Sequence, residues 1–267
     1  MRISKIQTFA VKAPTHDRFG GQNERPATLQ ETNYYFESEW KEIYSQRSES
    51  VLVRIDTDEG VHGWGECQAP IVPEVVKGVI DRLLAPVIVG SDPRQTEVLW
   101  NRMYTTMNSR GQTTGFMLDA IAGLDIALWD IKGKLAGEPI FSLLGGPFQT
   151  RHKTYVSGLR ATSDEARAAL AEQYFEEGYA AVKLYLGRGV DRDINQARTV
   201  RQRVGPNRRL LSDLFWKYTL PEAVLATLGL VASGAPVAGL MFARYSEKFG
   251  RRSDGASEEP SASNSSE

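Results

Sequence analysis

Three residues are suited to proton chemistry by type and by spacing: Lys183, Tyr185 and Asp213. Lys183 and Tyr185 stand two apart in the run Ala181-Val182-Lys183-Leu184-Tyr185-Leu186. In a strand that spacing points both side chains one way, while Val182, Leu184 and Leu186 point the other. An ammonium and a phenol on one face suit a general acid and base, although the same pair would also sit together at a strand's exposed end. Asp213 closes the apolar run Leu210-Leu211 and lies 30 residues after Lys183. A carboxylate there can pair with the lysine or hold a hard cation through oxygen. Trp216 and Tyr218 follow it as candidate walls of a pocket.

Other reactive types read as structural. Gly187-Arg188-Gly189 lacks the third glycine of a dinucleotide-binding loop and reads as a turn. Ser157 has neither a Gly-x-Ser-x-Gly context nor a histidine partner, which argues against a serine triad. Arg201, Arg203, Arg208 and Arg209 read as a solvated helix end. Cys67 ends a strand in an apolar setting and reads as a buried thiol, and His62 and His152 as structural residues.

The elements that must position the three residues follow from hydrophobic period. Strands are expected over 153–158, 180–186 and 209–214, with helices over 163–178, 191–204 and 221–230. Three βα units at a period near 30 residues mean parallel strands, whose carboxyl ends gather Ser157, Lys183, Tyr185 and Asp213. Earlier, strands are expected over 3–11, 50–57 and 61–67, the last two joined by the hairpin chemistry of Asp58-Glu59-Gly60. Residues 12–48 read as a long polar, aromatic-rich loop. Helices are expected from Pro73, over 93–107 and over 116–136; the third carries Leu118, Ile121, Leu124, Leu128 and Ile131 on one face. Its richness in Ala and Gly suggests close packing on another element.

Composition excludes several classes. The 267 residues hold 32 Lys+Arg against 33 Asp+Glu, so a basic surface for nucleic acid or anionic membrane has no support. One Cys and three His cannot build a Cys/His zinc cluster. The N-terminus has no apolar h-region, and no window approaches the ~20 apolar residues of a membrane span. A cytoplasmic, globular protein is expected.

Two segments carry a family resemblance. Gly63-Trp64-Gly65-Glu66 closes the N-terminal hairpin. Ala120-Ile121-Ala122-Gly123-Leu124-Asp125-Ile126-Ala127-Leu128-Trp129-Asp130-Ile131-Lys132-Gly133-Lys134 follows, with its sequel from Pro139 to Leu143-Leu144-Gly145-Gly146. Together they resemble the enolase superfamily, in its mandelate racemase/muconate lactonizing enzyme branch.

The resemblance implies an α+β capping domain over 1–150 with a three-stranded antiparallel sheet and helices. A partial βα (TIM-type) barrel of about three units follows over 151–231. Beyond it the resemblance fades, and the Ser/Glu/Pro-rich composition of 251–267 makes 232–267 a divergent, mostly disordered tail. The resemblance implies a Mg²⁺-dependent enzyme that removes the proton α to the carboxylate of a sugar acid, most similar to acid-sugar dehydratases, with Lys183 and Tyr185 catalytic and Asp213 a metal ligand. The loop containing His16 and Arg18 is expected to close over substrate, and a homo-oligomer is compatible with the family. A whole barrel takes about 250 residues, yet only 116 follow Arg151. The expectation is therefore a C-terminally truncated relative with little activity alone. The alternatives are a non-catalytic binding or oligomerisation module, and a racemase or cycloisomerase.

Overall fold

The computed structural model describes residues 1–14, 29, 32–37 and 42–233, in two units, Met1–Arg151 and His152–Glu267. In the first, alternation of apolar and polar residues builds a sheet with one face on the core. Its strands are β1 (Ile3–Pro14), β4 (Arg47–Thr57) and β5 (His62–Cys67), antiparallel in the order β1-β4-β5. Val51, Val53, Ile55 and Cys67 point inward and are fully buried.

The loop expected over 12–48 is shorter than its composition suggested. β1 continues to Pro14, and two four-residue strands, β2 (Tyr34–Glu37) and β3 (Glu42–Ser45), pair antiparallel with Tyr35 opposite Tyr44. The rings of Tyr35 and Tyr44 stack at 6.0 Å, and such cross-strand aromatic pairs stabilise short strands. A buried Glu49 carboxylate anchors this hairpin by accepting from Tyr34 Oη at 2.8 Å and Ser45 Oγ at 2.5 Å.

Helices cover the inner face. The stretch begun by Pro73 is α1 (Pro73–Val79), a π-helical turn (Ile80–Leu84) and α2 (Ala85–Ile88). Val76, Ile80, Leu84 and Ile88 are buried, whereas Val75 and Leu83 are exposed. Next come α3 (Thr96–Asn108), α4 (Phe116–Ala136) and the short α5 (Ile140–Leu143).

Helix α4 lies directly on β5. A Cβ on Gly63 would stand 2.1 Å from Ala127 O, and one on Gly65 2.0 Å from Gly123 O. Two polar side chains of α4 secure the contact. Asp130 Oδ2 accepts from Trp64 N at 2.8 Å, and Lys134 Nζ donates to His62 O at 2.9 Å and to Asp130 at 2.7 Å.

The second unit is three βα repeats: β6 (Tyr155–Ser157), α6 (Asp164–Glu176), β7 (Ala181–Tyr185), α7 (Val190–Val204), β8 (Arg209–Asp213) and α8 (Leu220–Ala232). The strands are parallel in the order β6-β7-β8. Ser163 Oγ caps α6 by accepting from Ala166 N at 3.1 Å, and Thr219 with Glu222 forms a capping box on α8. Val182, Leu184, Leu186 and Leu210 pack one face of the sheet on Ala171, Ala197, Val200 and Ala226. The arginines near residue 205 are structural. Arg201 Nη1 donates to Gly205 O and Arg208 O, and Arg203 pairs with Glu172.

Of the expected tail, Ala232 closes α8 and Ser233 follows it; residues 234–267 lie outside the described residues. Among the described residues, no helix is long and apolar enough to cross a membrane.

Candidate active site

Strand register brings the reactive residues together. In the parallel ladder Ser157 pairs with Lys183, and Tyr185 with Asp213. Because side chains alternate, Ser157, Lys183, Tyr185 and Asp213 share the face opposite the aliphatic core, at the carboxyl ends of β6, β7 and β8.

Lys183 Nζ lies 3.1 Å from Asp213 Oδ2, the two side chains being 22% and 35% exposed. Burial pulls the lysine's pKa down, but the hydrogen bond and charge of Asp213 more than offset it, leaving Lys183 above its ordinary value. The lysine is thus a stable cation, suited to holding negative charge on a ligand. Tyr185 Oη lies 3.1 Å from Ser157 Oγ. Its ring takes the edge of Phe215 at 4.9 Å and has the Lys183 ammonium 5.3 Å from its centroid.

Backbone geometry gives Tyr185 this space. Gly158 has φ +85°, and a Cβ there would stand 2.5 Å from Tyr185 Cε2. Beyond Asp213, Phe215 (φ 52°) and Trp216 (φ 57°) are consecutive left-handed residues, a conformation that non-glycine residues adopt at a cost. Asp213 Oδ1 helps hold the turn by accepting from Phe215 N at 3.2 Å.

Trp216 is exposed, but Tyr218 is not the pocket wall its position suggested. It is buried, and its hydroxyl donates to Asp193 at 2.5 Å. Gly187-Arg188-Gly189 bends the chain from β7 into α7, and the amides of Gly187 and Arg188 face that carboxylate. His16 and Arg18 lie outside the described residues. Sequence reasoning weighed Ser157 only as a nucleophile and passed over Gly158 and Asp193. The glycine directly after a strand end and the aspartate in the first turn of a helix were the signals present.

A hard cation such as Mg²⁺ needs a shell of oxygens. Asp213 offers one carboxylate, with Lys183 on one oxygen and Phe215 N on the other. Among the described residues no group of three or more His, Cys, Asp or Glu gathers to hold a metal. These residues by themselves do not fit a magnesium site.

Comparison with known proteins shows what the chain is similar to. Residues 43–145 match the family model for the mandelate racemase / muconate lactonizing enzyme N-terminal domain, and residues 166–233 match that for the enolase C-terminal domain-like fold. D-galactarolactone cycloisomerase of Agrobacterium fabrum is 39% identical over 194 residues, which are 70% of this chain and 49% of that protein. Arabinonate dehydratase of Saccharolobus solfataricus is 31% identical over 180 residues, 66% of this chain and 48% of that protein. The crystal structure of a member of the enolase superfamily from Agrobacterium tumefaciens superposes with a TM-score of 0.76 at 33% identity, covering 87% of this chain and 59% of that one. The chain spans about half the length of the curated relatives it matches.

Proposed function

Since the chain belongs to the mandelate racemase/muconate lactonizing enzyme branch of the enolase superfamily, we propose that it carries a proton-transfer site for sugar acids, with dehydration as its reaction. The observation that supports this reading is the placement of Lys183, Tyr185 and Asp213 side by side on one face of β7 and β8. A proton α to a carboxylate is barely acidic, so its removal needs a placed base and positive charge where the enediolate forms. After releasing its hydroxyl proton to solvent, Tyr185 takes the α-proton on Oη as the phenolate, with Ser157 Oγ as its hydrogen-bond partner. The resulting phenol can give a proton back. The Lys183 ammonium faces the substrate carboxylate, and Asp213 holds the ammonium in place. His16 and Arg18 are assigned to substrate contact. In the same reading, residues 1–150 are an enolase-like N-terminal domain, residues 151–231 a partial βα barrel, and the protein is cytoplasmic.

The superfamily implies Mg²⁺, and Asp213 is the described carboxylate assigned to it. No step above depends on the ion. A lone carboxylate holds Mg²⁺ weakly, at about millimolar levels or worse, and calorimetric titration of the chain reads this directly. Tight binding would mean that ligands beyond the described residues complete the shell.

A second reading, a non-catalytic binding or oligomerisation module, is favoured by that single carboxylate and by an exposed apolar flank on α8. There Leu220, Leu225, Leu228 and Val231 are 57–63% exposed. The deciding experiment incubates the full chain with Mg²⁺ and a panel of sugar acids in D₂O. Loss of the α-proton, with deuterium entering the α-carbon of recovered acid or C3 of a 2-keto-3-deoxy product, supports the site when it disappears in Tyr185→Phe. A 2-keto-3-deoxy product then marks a dehydratase, whereas exchange without water loss marks a racemase or cycloisomerase. Neither exchange nor a 2-keto-3-deoxy product from any substrate, with folded protein, leaves the module.

A further inference from the structure

Asp193 is a carboxylate with no exposed surface, in the first turn of α7, and the chemistry described above does not use it. It lies between two loops. On one side, Gly187 N donates to its Oδ2 at 2.6 Å and Arg188 N to its Oδ1 at 3.3 Å. On the other, Tyr218 Oη donates to Oδ2 at 2.5 Å and itself accepts from Gly189 N at 2.9 Å. The first loop leaves the strand end carrying Lys183 and Tyr185; the second leaves the strand end carrying Asp213.

A buried carboxylate is costly unless donors surround it, and these come from both loops rather than from the helix that bears it. The loops have no slack where they meet. Leu186 N donates to Asp213 O at 2.8 Å, and a Cβ on Gly187 would meet Leu214 O at 2.7 Å. Between Asp213 and Tyr218 run the two left-handed residues Phe215 and Trp216, a conformation that persists only when its surroundings hold it. Tyr218 is the fixed point at the far end of that segment.

We propose that Asp193 and Tyr218 are positioning residues, a carboxylate–phenol clamp that holds the loop after Tyr185 against the loop after Asp213. The clamp sets how Lys183 and Tyr185 face Asp213. It deepens the proton-transfer reading and rests on it for its purpose, but its geometry is testable without turnover.

The experiment compares the full chain with Tyr218→Phe, which removes the bridging hydroxyl, and with Asp193→Asn, which keeps the shape and removes the charge. Amide hydrogen exchange is followed residue by residue. The ring resonance of Tyr185 is followed in ¹³C-tyrosine-labelled protein, assigned by its loss in Tyr185→Phe. The clamp requires exchange at Leu186 and Phe215 to rise about tenfold or more in both variants, and the Tyr185 resonance to move. Ala168 and Ala171, in the core of α6, must keep their protection.

Faster exchange confined to residues 187–189, with Leu186, Phe215 and the Tyr185 ring unmoved, overturns the proposal. So does loss of protection throughout α6 in both variants, because the pair would then hold the fold and not the site. If Tyr218→Phe alone fails to fold, Asp193→Asn gives the same readouts. Failure to exchange protons on sugar acids would leave a positive result here standing. A negative result here would leave the functional reading to its own test.

Discussion

Gly65 and Gly123 approach so closely that a Cβ on Gly65 would stand 2.0 Å from the Gly123 carbonyl oxygen. The helix residue is hemmed in as closely by another residue of β5, since a Cβ on Gly123 would stand 2.2 Å from Cys67 Sγ. The two most distinctive segments of the sequence, around Trp64 and around Asp130, are therefore the two sides of one strand–helix contact. Their residue types answer to packing: glycines for the approach, Asp130 for the Trp64 amide, and Lys134 for the His62 carbonyl.

Gly65→Ala should therefore destabilise the protein by about 3 kcal/mol, the upper range for overpacking a tight core. Gly78→Ala is the matched control. It lies within α1, and its Cβ would meet nothing within 4 Å, so removing a mid-helix glycine should stabilise by roughly 0.5–1 kcal/mol. Urea unfolding of both variants checks the pair. Equal midpoints would mean that the strand and helix can separate freely.

Cys67 lies in the same contact, and burial raises its thiol pKa to about 12. Since the thiolate is the reactive form, native protein at pH 8 should resist alkylation by iodoacetamide. The same sample in guanidinium should label fully. Rapid labelling of folded protein would show that α4 opens from β5 without global unfolding.

How much of this was legible in the sequence depends on the range of the forces. The 3.6-residue period placed α4 at 116–136, where the structure has it, because its burial is continuous along one face. The period-2 run around Val182 separated Lys183 and Tyr185 from the core correctly, since alternation is a local property. The hairpin of β2 and β3 was hidden. Its strands have four residues each, too few for a period, and their stability comes from Glu49 and from aromatic pairing between the strands. Tyr218 was misplaced for a related reason. Whether a tyrosine lines a pocket or bonds a buried carboxylate depends on Asp193, 25 residues away, which only the assembled loops reveal.

Asp193 also predicts a pH dependence. Burial raises its pKa above the ordinary 3.8; Tyr218, the two loop amides and Arg188 oppose that without cancelling it. A carboxylate whose folded pKa is raised contributes stability that is fully present below its unfolded pKa and is lost as pH rises through the folded value. Asp193→Asn removes this titration. The stability of the wild type minus that of the variant should therefore fall as pH climbs upward from about 4, measured by urea unfolding at each pH. A difference that rises with pH would contradict the burial argument.

Gly158 separates the role of Tyr185 from the general cost of altering a loop. Gly158 and Gly178 both hold left-handed backbone, at φ +85° and +95°. An alanine at either should cost about 1–2 kcal/mol through that conformation alone. Only at Gly158 would the new methyl meet the Tyr185 ring, 2.5 Å from Cε2; at Gly178 nothing lies within 4 Å. Gly158→Ala should accordingly push Tyr185 off Ser157 and lower α-proton exchange on a sugar acid by about tenfold or more. Gly178→Ala, matched in stability, should keep the wild-type rate. Loss of the α-proton signal in D₂O, followed by proton NMR at equal folded concentration, decides between them. Parallel losses in both variants would mean that Tyr185's position has no part in the proton transfer.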